Sequence, residues 1–106
     1  MSEFERRERA FERKHELDRE IGFMVAAHAA KAMARWAAEQ MGLRAEEAQL
    51  YVKSVLDIDL MIPHHAALVA KIENDFKARN LDISRHHIVQ ELADKVDEAR
   101  KVHLAQ

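Results

Sequence analysis

No cysteine occurs in the 106-residue sequence, and it holds one proline and two glycines. Without thiols the chain can build no disulfide, thiolate metal site or thiol nucleophile, which fits a cytoplasmic protein. Helix breakers are nearly missing, and strand signals are close to absent, so good helix formers dominate. No apolar run approaches the roughly 20 residues that span a bilayer. The stretch from Glu3 to Arg9 is densely charged where a secretory signal would turn apolar. The expectation is a protein that stays where it is made, without inserting into a membrane. Charge of one sign is also lacking: 17 Lys and Arg face 19 Asp and Glu, giving a formal net charge of -2. No field of that size holds a polyanion, so nucleic acid is not an expected partner. Catalytic signatures are missing as well. There is no Gly-rich phosphate loop, no Ser-x-x-Lys or Gly-x-Ser-x-Gly run, and no Glu-x-x-His pairing of a di-iron bundle. Neither enzyme activity nor a cofactor is expected.

What is present is helical periodicity. Leu17, Ile21, Val25, His28, Ala32 and Trp36 follow 3.6-residue spacing along a long first helix. Gly42 stops it, with Leu43 placed to reach back to Ala38 in a Schellman cap. A second helix carries Ala48, Tyr51, Val52, Val55, Leu56 and Leu60 on one face, and Pro63 forces its end. The third has the stripe Leu68, Val69, Ile72 and Phe76, and Asn80-Leu81 repeats the stop chemistry. Ser84 is a good N-cap for the fourth, with Ile83 and Ile88 as a hydrophobic staple and Ile88, Leu92, Val96 and Ala99 as the stripe. Short connections between amphipathic helices favour an antiparallel bundle. The fold expected is all-α, a four-helix bundle over 20–104 with helices near 20–41, 45–61, 65–79 and 85–103.

Residues 1–19 do not fit that bundle. Carried upstream of Leu17, the core stripe meets Lys14, Ala10, Arg7 and Glu3, so it turns polar. Phe4 and Phe11 share a face, but one about 80° from the stripe. A mixed-charge segment with little to bury frays or stays disordered when free, although Glu-to-Arg pairs such as Glu3 with Arg7 favour helix as its ordered state. An isolated helix of this length is marginal in water and a partner can tip it. Helical throughout, it would form a rod about 30 Å long, enough to enter a deep cleft.

Seven histidines raise a metal alternative, with His64-His65 and His86-His87 as adjacent pairs. Neighbours on a helix point about 100° apart, whereas a helical two-His site wants i, i+4 spacing. Only a pairing of His65 with His86 across two loops would serve, so the reading is no metal. His28 reads as a core-edge residue, Trp36 and Tyr51 as core anchors, and the methionines as gap fillers.

Order and spacing along nearly the whole chain resemble one family, the zeta-type inhibitor subunits of alphaproteobacterial F-type ATP synthases. Its Phe-x-x-Arg-Glu-x-x-Phe-Glu-x-Lys pattern appears as Phe4, Arg7, Glu8, Phe11, Glu12 and Lys14, with Glu20 and Phe23 following. Lys31, the block Trp36-Ala37-Ala38-Glu39, Gly42-Leu43, Tyr51, Asp59, Pro63 and Lys71-Ile72 continue the match. The resemblance implies a four-helix body and an inhibitory N-terminal helix that inserts near the α, β and γ subunits of the F1 head and blocks ATP hydrolysis. It places the protein in the cytoplasm, peripheral to the inner membrane through the synthase. Phe4 and Phe11 would then be buried anchors, and Arg6, Arg7, Glu8, Arg9, Glu12 and Lys14 would set register by charge complementarity. Weak adenine-nucleotide binding by the bundle is a further implication.

The sequence departs from the family pattern at His28, Ala29 and Ala30, where Arg-Arg-Asn is usual, and at His64 and Ala67 after Pro63. The first change removes cations that bear on nucleotide binding, and the second alters the turn into the third helix. The alternative these departures favour is a divergent paralogue acting as a non-inhibitory helical interaction module; a His-based metal-binding bundle stands behind it.

Overall fold

The computed structural model describes residues 3–61 and 65–104; within these helices the side chains of residues 4, 8, 10–18 and 59–61 lie outside the description. Among the described residues four helices follow one another, α1 (Glu3–Gln40), α2 (Ala45–Met61), α3 (Ala66–Ala78) and α4 (Arg85–Leu104), and no strand occurs. The all-α class expected from the composition is what the chain adopts.

The ends of the helices follow local chemistry. Gly42, at φ 72°, sits left-handed after α1, and the Leu43 amide donates back to the Ala38 carbonyl at 3.0 Å. This is the 6→1 bond of a Schellman cap. Asn80, at φ 58°, repeats it after α3, with the Leu81 amide on the Phe76 carbonyl at 2.9 Å. Asn tolerates the left-handed region better than most residues with a Cβ. At the start of α4 the Ser84 hydroxyl accepts the His87 amide at 3.1 Å, satisfying one of the unpaired first-turn donors. Ile83 and Ile88 both join the core behind that cap, as a staple should. Pro63 falls outside the described residues, and α2 ends at Met61 just before it.

In the packing, α1 lies against both α2 and α4, while α3 touches α2 and α4 and reaches α1 across the centre. His28 meets His103 and Trp36 meets His87, so α4 runs antiparallel to α1. The main core gathers Met33, Val55, Leu68, Ile72, Phe76 and Ile88 from all four helices, each fully buried. The α3 stripe read from the sequence is buried at all of its positions, Leu68, Val69, Ile72 and Phe76.

The α1 stripe needs correction. Ile21 and Val25 pack as expected, but beyond them the buried positions are Ala29, Ala30, Met33, Ala34, Ala37 and Ala38. His28 is exposed, and Ala32 and Trp36 are half-buried. The reason is the width of the interface: α1 is flanked by two helices, so an alanine-rich arc faces inward and lets their backbones approach. Larger residues sit at the margins, where Trp36 lays its ring edge-on to Phe76 at 5.6 Å between centroids.

Packing thins toward the start of α1. A second, smaller cluster of Val25, Ala29 and Ala99, flanked by Ile21 and Val96, involves α1 and α4 alone. Upstream of Ile21 every described side chain is exposed. The molecule is accordingly elongated, 64 × 27 × 25 Å. A 38-residue helix is about 57 Å long, so α1 accounts for most of the long dimension.

Candidate functional site

The candidate residues of the first nineteen lie on α1, ahead of Ile21, where its described packing begins. Arg6, Arg7 and Arg9 are exposed. Arg7 forms the expected i, i+4 pair with Glu3, at 3.2 Å between Nη2 and Oε1, with both side chains about 80% exposed. Such an exposed pair adds a few tenths of a kcal/mol to local helix and leaves the guanidinium available to a partner. The side chains of Phe4, Glu8, Phe11, Glu12 and Lys14 lie outside the described residues. Positions 4 and 11 are nonetheless two turns apart on one helix and share a face. Glu3 and Arg7, which continue the core stripe by arithmetic, are solvated, so the polar turn of that stripe corresponds to a real loss of packing.

Two further residues extend this exposed surface. Phe23 is 70% and Met24 51% exposed, immediately after the segment and beside the buried Val25. At about 100° per residue Phe23 is in line with the buried Ala30, Ala34 and Ala37, so its exposure follows from the thinning of the packing toward the start of α1 and not from its azimuth. Apolar side chains exposed on a helix are candidates for burial against another protein.

On the body, a groove between α1 and α2 has Lys31 and Arg35 on its rim and Ala38, Leu43, Ala48 and Val52 among its lining residues. Glu39 and Gln49 share that lining, so two cations and one carboxylate stand beside the apolar residues. The His28 departure sits one turn before Lys31. Ala29 and Ala30 are buried in the helix interface, where small side chains fit and cationic ones would not. Ala67 is half-buried in the first turn of α3, and His64 lies outside the described residues.

The histidines are dispersed. His65, left-handed at φ 60° ahead of α3, lines a groove with Val25, Val96, Arg100 and Leu104. His86 is at the other end of α4, a helix about 30 Å long. The pairing of His65 with His86 considered for a metal is therefore not formed. Among the described residues no three His, Cys, Asp or Glu side chains converge as metal ligands. The contact that sequence reasoning missed is His28 with His103, Nδ1 to Nε2 at 3.3 Å.

Comparison with protein families decides the relationship. The model of the family described as ATPase inhibitor subunit zeta matches residues 1–102, essentially the whole chain. The chain belongs to the ATPase inhibitor subunit zeta family. The match covers the exposed segment and the bundle together, so both are parts of one zeta-family unit. Neither the curated proteins nor the solved structures gave a match. The family name ties the chain to an ATPase. No helix among the described residues is long and apolar enough to cross a membrane.

Proposed function

We propose that this zeta-family protein is a regulatory inhibitor of the F-type ATP synthase that binds the F1 head from the cytoplasmic side of the inner membrane. Its segment 1–19 enters as a helix near the α, β and γ subunits and blocks ATP hydrolysis. The observation that carries this reading is the continuity of α1: one helix runs from the core through a segment whose described side chains are all exposed. The body thus presents an elongated, charged tip whose described side chains face solvent. Phe4 and Phe11 are the proposed anchors, and Arg6, Arg7, Glu8, Arg9, Glu12 and Lys14 the charges that orient it. Phe23 and Met24, exposed where the tip leaves the bundle, would complete the apolar contact.

The test is titration of ATP hydrolysis by cognate F1 with the full chain and with a variant lacking Met1 to Arg19. The full chain should inhibit and co-purify with the α and β subunits. The truncated one should not inhibit while keeping its circular dichroism and melting transition. Hydrolysis indifferent to a large excess of the full chain would sink the proposal in favour of a non-inhibitory interaction module. The groove rimmed by Lys31 and Arg35 is proposed as the place of any weak adenine-nucleotide contact; if ATP leaves the amide resonances around it unmoved, that part fails.

A further inference from the structure

His28 and His103 come from helices 75 residues apart in sequence and meet with Nδ1 and Nε2 3.3 Å apart. Their rings are nearly perpendicular, 87°, with centroids at 5.3 Å. With the facing nitrogen of one ring carrying its proton and that of the other bare, the pair makes a long N–H···N hydrogen bond. Two imidazole nitrogens on one tetrahedral zinc, each at about 2.05 Å from the metal, are separated by about 3.3 Å. The two ring nitrogens therefore also stand at the spacing of a shared metal, which would take the place of that hydrogen bond.

We propose that His28 Nδ1 and His103 Nε2 chelate a divalent transition-metal ion, clamping the C-terminal end of α4 to α1. Imidazole nitrogen favours zinc, nickel and copper over magnesium or calcium, and with two protein ligands water fills the remaining positions. His28 is exposed and His103 half-buried, so an ion reaches them without any opening of the fold. The ligands must be neutral to bind an ion, and Lys31 and Arg35 share a shallow groove with His28. The same cations lower the affinity for a metal ion, so the site is weaker than a structural zinc site with its full set of protein ligands. The two ligands come from separate helices, so the bound ion stabilises the folded state specifically.

The experiment is thermal unfolding of the full chain near neutral pH with zinc chloride or nickel chloride alone, then with chelator. The midpoint should rise by about 5 °C at saturating ion and fall back with chelator. His28→Gln and His103→Gln should each remove the rise, while His86→Gln and His87→Gln keep it. Long-range 15N spectra of the wild-type histidines give a second reading that needs no variant to fold. Zinc should move Nδ1 of His28 and Nε2 of His103. An undiminished rise in either Gln variant, no rise in the wild type, or zinc shifts confined to other histidines overturns the proposal.

Discussion

The Tyr51 hydroxyl donates a 2.8 Å hydrogen bond to Asp75 Oδ2, fastening α2 to α3. Lys71 completes the group, 3.1 Å from the same carboxylate oxygen and 5.3 Å from the centre of the Tyr51 ring. The phenol is held neutral far above its ordinary range, by burial first and then by the hydrogen bond and negative charge of Asp75. Tyr51→Phe removes the donor but leaves Asp75 its Lys71 partner, so the expected loss is about 1 kcal/mol in urea unfolding.

The same phenol sets an alkaline limit. Its folded pKa lies above the unfolded value of about 10, so its contribution is complete below pH 10. Above that pH the unfolded chain sheds a proton the folded chain keeps, and stability falls by up to about 1.4 kcal/mol per pH unit. Melting curves from pH 9 to 11 should show this slope in the wild type and lose it in Tyr51→Phe.

Phe76 is fully buried at the meeting of α3 with Trp36 of α1. Phe76→Ala should cost about 3 to 5 kcal/mol, a large share of the stability of a domain this size. Trp36 loses its edge-on neighbour in that variant, so its fluorescence should shift to the red even where the protein remains folded.

Ser84→Ala takes away the acceptor for the His87 amide and should cost about 1 kcal/mol, whereas Ser84→Asp should be close to neutral. Chemical unfolding of the two variants side by side checks the pair.

Arg9→Pro tests whether the tip acts as a helix. Proline in a helix interior costs about 3 kcal/mol locally. Arg9 is exposed and lies upstream of Ile21, where the described packing of α1 begins, so the main melting transition should stay in place. Inhibition of hydrolysis should fall at least tenfold. Undiminished inhibition would mean that the tip is not read as a helix.

What the sequence made legible was local. Gly42, Asn80 and Ser84 mark ends of helices because a left-handed backbone or a capping hydroxyl is a property of a few neighbouring residues. The α3 stripe was legible because large apolar residues fill it. The α1 arc was not, because five of its buried positions are alanine, whose pattern blurs with that of a good helix former on a surface. Contacts between helices, such as Tyr51 with Asp75 or His28 with His103, depend on how each helix is rotated about its own axis. No spacing within one helix encodes that rotation. At the tip, exposed charges and a polar turn of the stripe singled out the segment, but they carry no information about which surface receives it.

Because α1 is unbroken from Glu3 to Gln40, the azimuth of the tip is geared to the body. One residue inserted between Arg19 and Ile21 would turn positions 3–9 by about 100° and advance them about 1.5 Å, while seven would bring them back within about 20°. Length and phase of this shaft are therefore set together, and neither drifts without the other.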